Sequence, residues 1–286
     1  MSKKINVLVT GEDGYIANQF KKYIEPTDLF DITMISVKND EWKKLDFSKY
    51  DSIFHLAGIV HNPKATKEDY EKINYKLTIE LAKKAKKEKI GQFLFFSTGS
   101  VYGDIRGKIT QKTIAVPNNF YGKSKLKAEI ELKKMEDKDF KICIVRPPMV
   151  YGKGCKGNYC LLSKLAKKIP IFPKVNNIRS MIYIENLCEF VKLLILNKES
   201  GLFFPQNKEY VNTSEMVKLI ANENKKNVLI IKILSAFVNV GKHIPGKIGK
   251  LCNKAFGDWY YDMSISEYKT NYIVKGFEES IHDTEM

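Results

Sequence analysis

The chain has 286 residues, 44% of them hydrophobic, which suits one large domain or a core with a smaller appended lobe. No apolar run approaches the roughly 18 residues that cross a bilayer, and Met1 to Thr10 holds too short an apolar stretch for a signal peptide. The expectation is a cytosolic protein without membrane insertion. A net charge of +15 invites a nucleic-acid reading, yet of 48 basic residues all but Arg106, Arg146 and Arg179 are lysine. Phosphate and base-edge recognition favours the arginine fork, and the lysines are scattered over helix faces. Nucleic acid is therefore not expected as a partner, though a basic surface attracts anionic substrates.

Ile5–Thr10 is a short apolar strand, followed by the turn Gly11-Glu-Asp-Gly14-Tyr-Ile-Ala17 and a helical stretch to about Ile24. A glycine turn between strand and helix lets backbone N–H groups and the helix N-terminus meet a pyrophosphate. Ala17 is small enough for close helix–strand packing. Asp31–Val37 reads as a second strand that ends Ser36-Val37-Lys38, with no acid before Asp40. A hydroxyl and a lysine there suit a 2′-phosphate and NADP, whereas Asp40 suits the ribose of NAD if the loop folds back. Both remain open at this point.

Ser52–Ala57 is a third strand, ending at Gly58. Residues 67–87 form an amphipathic helix with Ile73, Leu77, Leu81 and Ala85 inward, and with Asn74 either solvated, capping or facing a ligand. Gln92–Ser97 is a fourth strand that runs into Thr98-Gly-Ser-Val-Tyr-Gly103, where hydroxyls gather at a C-terminal strand end. Ligands bind at that edge in open α/β sheets. A helix carries Tyr121 and continues to about Met135, and Ile142–Arg146 is the next strand, closed by Pro147-Pro148. Strands alternating with helices imply an α/β fold with a doubly wound parallel sheet over residues 1–150. Residues 151–286 read mainly as a substrate lobe, with some segments returning to the core.

In that second part, helices are expected near Tyr159–Lys168, over Glu185–Leu196 and from Thr213 or Ser214, with a strand over Ile178–Ile184. Thr213 through Met216 supplies the capping signal. The stretch Val228–Phe256 mixes apolar residues with lysines. It is read as packing within the lobe in preference to a membrane-surface helix, because Gly241, Pro245, Gly246 and Gly249 interrupt it. Five cysteines without a Cys-x-x-Cys pair, and His55, His61, His243 and His282 apart from them, support neither a disulfide framework nor a metal site.

Tyr121 and Lys125 stand four residues apart, one helical turn from each other. An ammonium held near a phenol favours the phenolate, and such a phenol can exchange a proton at a carbon that loses or gains a hydride. Spacing alone is weak in a chain this rich in lysine, so the surroundings must carry the case. Six stretches in one order do so: Thr10–Ile16, His55–Gly58, Thr98–Gly103, Tyr121–Lys125, Arg146–Gly152 and Arg179–Ile184. Over about 190 residues the chain resembles the extended short-chain dehydrogenase/reductase family, in its nucleotide-sugar epimerase/dehydratase branch.

The resemblance implies Tyr121 as general acid/base, Lys125 as the group that lowers its pKa and binds the nicotinamide ribose, and Thr98 as the hydroxyl on the reacting sugar oxygen. Gly11, Gly14 and Ala17 would line the pyrophosphate, with Tyr15 and Ile16 beside them. Ser36, Lys38, Leu56, Ala57, Gly58, Asn74 and Pro147 would complete the cofactor site, and Asp46 would pair with the adenine amino group. Ser100, Asn158 and Arg179 would face the nucleotide-diphosphate sugar. The family also implies a homodimer through the Tyr121 helix and its neighbour.

Departures are that Arg179 is followed by Ser-Met and that no arginine follows it, so a second diphosphate-binding arginine is absent or replaced by lysine. The implied activity is a 4-epimerase with NAD. The alternative is an NADPH-dependent 4-keto-sugar reductase, favoured by Ser36 and Lys38. A dehydratase wants carboxylates after Thr98, where Gly99 and Ser100 stand. A non-catalytic nucleotide sensor would not need both Tyr121 and Lys125.

Overall fold

The computed structural model describes residues 3–60, 62 and 64–286, with backbone alone at 247, 248, 250 and 251; His61 lies outside the described residues. In chain order the first part runs β1 (Ile5–Thr10), α1 (Tyr15–Ile24), β2 (Phe30–Ile35), β3 (Ser52–His55), α2 (Lys67–Tyr70), a π-helical segment (Glu71–Lys76), α3 (Leu77–Lys87), β4 (Gln92–Phe96), β5 (Gly107–Ile109), α4 (Phe120–Met135) and β6 (Lys141–Val145). There follow β7 (Met149–Tyr151), α5 (Asn158–Ala166), β8 (Ile171–Pro173), β9 (Met181–Tyr183), α6 (Ile184–Leu196), β10 (Gly201–Phe203) and α7 (Thr213–Glu223). The last elements are β11 (Leu229–Ile231), α8 (Leu234–His243), α9 (Lys247–Phe256), β12 (Trp259–Tyr261), α10 (Met263–Ser266) and α11 (Phe277–Glu285).

Six strands form one parallel sheet in the order β10-β6-β4-β3-β1-β2. Alternation along the strands divides their side chains between two cores. Val7, Val9, Phe54, Leu94 and Val145 pack into the cluster that holds α6 and α7, while Leu8, Ile53, Phe93, Phe95 and Ile144 join the cluster with α3 and α4. That is what helices on both faces of a parallel sheet require. Order reverses between β1 and β3, so a crevice opens at their C-terminal ends. Beyond β2 there is no further strand: residues 36–51 hold only a five-residue 3-10 turn, Asp40–Lys44, anchored by buried Trp42.

From the second half, β10 and α6 return to this core, with α6 packed on α1. The other strands make three parallel pairs, β5 with β12, β7 with β9, and β8 with β11. The strand expected over Ile178–Ile184 shrinks to β9, because Arg179 and Ser180 bond instead to Val211 and Trp259. The cap of α7 is Asn212, whose side chain accepts from Ser214 and Glu215 N–H, rather than the Thr213–Met216 signal.

The helix read over 67–87 is interrupted. A capping box between Thr66 and Asp69 starts it, and the π segment then adds a residue to one turn. That extra residue rotates the inward face. Asn74 and Thr78 become fully buried, while Ile73 and Leu77, expected inside, are half-exposed and line the crevice. π turns of this kind recur at functional sites.

Candidate active site

Gly11 leaves β1 with φ of 84°, and a Cβ there would lie 3.1 Å from the Ala57 backbone. The glycine is required on both counts, conformation and close approach. Gly14 N–H donates to the Gly11 carbonyl at 2.8 Å, and the first turn of α1 has neither an acidic residue nor a side-chain cap. Its free N–H groups, with the positive end of the helix, make a cradle for a pyrophosphate. The cradle opens on a cleft of about 850 Å³, lined among others by Ser36, Lys38, Leu56, Ala57 and Gly58. Size, glycine approach and helix end fit a dinucleotide.

Two buried polar groups hold the far wall. His55 lies between the Thr10 and Thr78 hydroxyls at 2.7 and 2.9 Å, and burial, with the Lys125 charge adding, lowers its pKa to about 3, so it stays neutral. Thr10 Oγ1 also accepts from Leu56 and Ala57 N–H. Asn74 accepts from Ile59 N–H at 2.7 Å and donates to Ile59 O at 2.9 Å. It therefore clamps the loop after β3, beside Gly58, where an added Cβ would meet its Oδ1 at 3.0 Å.

At the cleft's outer end, Lys38 ion-pairs with Asp13 at 2.6 Å, and that contact raises the lysine pKa. Asp46 does not line the cleft. It is exposed and accepts from Ser48 N–H and Oγ at 2.9 and 2.6 Å, and those hydrogen bonds hold its carboxyl below the usual range. The 3-10 turn ahead of it buries Trp42 and sends Asp46 into a local turn instead.

Thr98 caps the short 3-10 turn Gly99–Tyr102, its Oγ1 accepting from Ser100 N–H at 3.1 Å. Tyr121 stands in the first turn of α4, which Asn119 caps through Gly122 N–H at 2.8 Å. Burial pushes the Tyr121 pKa up to about 12; the neighbouring Thr98 hydroxyl opposes this, and Tyr70, with ring centroid 6.3 Å away, adds to it. One turn later Lys125 Nζ donates to Phe96 O at 2.8 Å and sits over the Phe95 ring. Its Nζ is 3.5 Å from the position a Gly58 Cβ would take, so it stands where the cleft meets the Thr98 loop. Burial lowers Lys125 to about 7, with Glu129 opposing. Lys125 is not what moves the Tyr121 phenol here: the Phe96 carbonyl engages its ammonium, and desolvation governs both groups.

Another turn along α4, Glu129 takes Nε of Arg146 at 3.0 and 3.2 Å and a second nitrogen from the same guanidinium. Ser97 Oγ donates to Glu129, and Arg146 also donates to Tyr102 O–H at 2.8 Å. The buried pair thus ties α4 to the ends of β4 and β6. Close packing completes the frame. A Cβ on Gly122 would lie 2.5 Å from Ser100 O, and one on Gly99 would lie 2.5 Å from the Trp259 ring. Trp259 in β12 is a site neighbour that no motif announced; its only signal was tryptophan's rarity, two in the chain.

Pro147 O accepts from Gly99 N–H at 3.0 Å, and Ser100 is half-buried beside Thr98. Ile16 is half-buried and Ala17 buried in α1, while the Tyr15 hydroxyl is buried without a partner near Gly152. Asn158 is exposed at the start of α5. Arg179 is not aimed into open space: it donates to Lys254 O at 2.9 Å and Gly257 O at 3.1 Å, at the carbonyl end of α9, a favourable place for a cation. Among the described residues no cluster of His, Cys, Asp or Glu could hold a metal, and all five cysteines are free.

The chain is similar to UDP-glucose 4-epimerase of Vibrio cholerae, 30% identical over 161 residues, covering 53% of this chain and 49% of that enzyme. It therefore spans about half the length of that relative. It is also similar to the N-acetyl-alpha-D-glucosaminyl-diphospho-ditrans,octacis-undecaprenol 4-epimerase of Escherichia coli O157:H7, 25% identical over 272 residues, with 88% and 78% of the two chains covered. Among solved structures, the UDP-glucuronic acid 4-epimerase from Bacillus cereus in complex with NAD aligns over 98% of this chain and 95% of its own, at TM-score 0.74 and 16% identity. The profile of one family matches residues 7–204, the span that contains the glycine cradle, Thr98, Tyr121 and Lys125. With that match, the chain belongs to the NAD dependent epimerase/dehydratase family.

Proposed function

We propose that the chain is a 4-epimerase of a nucleotide-diphosphate hexose, of the UDP-hexose type, with NAD held in the cleft. The observation that supports this is that Lys125 stands beside Gly58 of the cleft wall and donates to Phe96 O at the end of β4, one turn of α4 from Tyr121, whose neighbour is Thr98. Gly11 and Gly14 would hold the pyrophosphate and Leu56 to Gly58 the wall beneath the nicotinamide. With Lys38 already paired to Asp13, its charge is less free for a 2′-phosphate, which favours NAD over NADP.

A bound nicotinamide supplies a reversible hydride acceptor. Tyr121, as phenolate, takes the proton of the sugar 4-hydroxyl as C4 loses its hydride, and Thr98 steadies the charge on O4. When cofactor is bound, Lys125 would hold the nicotinamide ribose, and as an ammonium it would favour the Tyr121 phenolate against the burial that raises its pKa. The phenol then returns its proton to O4 as C4 regains the hydride on the opposite face, so proton and hydride balance over the cycle. Ser100, Asn158 and Arg179 are the proposed contacts to the substrate, and Asn74 acts on the cofactor through the Ile59 loop. A homodimer through α4 belongs to this reading, supported by exposed Phe120 and Ile130 on its outer side, as does a cytoplasmic site of action.

The test is incubation of purified protein with NAD and UDP-glucose or UDP-N-acetylglucosamine, with the C4 epimer assayed by chromatography. Epimer formation with NAD retained through purification is the expected result. No epimer, together with NADPH oxidation by a 4-keto sugar, would instead establish the reductase.

A further inference from the structure

We infer that the substrate lobe docks on the anionic surface of a lipid bilayer through α8. Along this helix Ile233, Phe237, Val240 and Ile244 recur at helical spacing, and the first three are 74%, 72% and 66% exposed. The packed side of α8 flanks the stripe: Val238 and Gly241 are buried, and a Cβ on Gly241 would meet Cys252 Sγ at 2.9 Å. Among the described residues the apolar stripe has no partner, which departs from the reading of Val228–Phe256 as packing within the lobe. It does not stop at the helix. Leu229 and Ile171, direct partners in the β11–β8 pair, are also exposed. Contiguous exposure of this kind marks a surface built to meet something apolar.

Charge identifies the partner. From Asn224 to Gly257 there is no acidic residue, against lysines at 225, 226, 232, 242, 247, 250 and 254. The segment that carries β8 and α5 is equally one-sided, with no acid from Phe140 to Ile184. Pairing of β8 with β11 joins these two acid-free segments. Exposed Lys174 and Lys232 lie close to the stripe, since Ser235 in α8 donates to the Lys174 carbonyl. Apolar residues flanked by lysines without carboxylates complement an anionic headgroup layer with acyl chains beneath it. A second copy of the same face would set like charge against like, and nucleic acid offers nothing to bury the stripe.

The probe is flotation of the full chain with vesicles of equimolar phosphatidylcholine and phosphatidylglycerol, beside vesicles of phosphatidylcholine alone. Binding to the anionic vesicles, weakened by salt and slight on the neutral ones, is expected. The double variant Phe237→Ser, Val240→Ser should lose at least about tenfold in partitioning with an unchanged melting temperature. Lys232→Gln with Lys174→Gln should flatten the salt dependence. Failure to float with either vesicle overturns the inference, as does equal flotation of the double variant. A dimer by light scattering that the double variant dissociates would also overturn it, because a second copy would then cover the stripe. No cofactor or substrate enters the assay, so its outcome is separate from that of the proposed reaction.

Discussion

Lys125 is buried against the Phe96 carbonyl, and burial brings it from 10.5 to about 7. The unfolded chain keeps this proton up to the ordinary lysine value, whereas the folded, cofactor-free protein releases it near neutrality. Between those limits the unfolded state binds more protons, so stability rises with pH through that window, and the gain is absent below it. Lys125→Met should flatten the rise, as read by denaturant titration across the window. In the proposed reaction, Tyr121→Phe removes the phenol that exchanges the O4 proton. It should lower kcat by about 10²–10⁴-fold while NAD affinity, measured by fluorescence titration, holds. These two residues were legible from a spacing and its neighbours. Their electrostatics were not, because the sign of each shift depends on burial and on a backbone carbonyl that no motif encodes. Arg179 shows the same limit: its position was readable, but its engagement with the end of α9 depended on a chain segment far along the sequence.

Among the elements, the π segment has the largest effect on the cleft. One added residue turns Asn74 inward to clamp Ile59 and turns Ile73 and Leu77 out as cleft wall. Hydrophobic periodicity describes a uniform helix and cannot count an inserted residue, so the sequence pattern placed both apolar residues inside. Asn74→Ala should leave the Ile59 N–H and C=O without their partner, costing about 1–3 kcal/mol. A lower melting temperature and weaker NAD binding should appear together. On α4, Glu129 is one turn past Lys125, and its Arg146 partner is buried with it. Glu129→Gln leaves the guanidinium uncompensated, with an expected loss of about 3–5 kcal/mol of stability by chemical denaturation. Five of the six sheet strands were readable nearly to their ends, since apolar runs bounded by turn residues announce them, whereas β10 was not read at all. The short pairs β5–β12, β7–β9 and β8–β11 were not, because three-residue strands carry too little periodicity to announce a distant partner.

For the whole molecule, +15 of net charge would attract the doubly negative diphosphate of the proposed substrate. KM for a nucleotide-sugar substrate should rise with ionic strength while kcat stays level, a split that initial-rate measurements at several salt concentrations resolve. A different consequence lies in the parallel pairing of β5 with β12. Gly107–Ile109 follows the Thr98 loop closely, yet its partner, Trp259–Tyr261, comes almost last in the chain, bringing the indole that packs on Gly99. Synthesis from the N-terminus delivers β1 to β4 long before that strand. Contacts between segments so far apart in sequence form slowly, and one face of the sheet also waits for α6 and α7 from the second half to cover it. The Thr98 loop therefore gains its indole neighbour only when the far end of the chain docks, which makes the frame of the candidate site one of the last parts of the molecule to be completed.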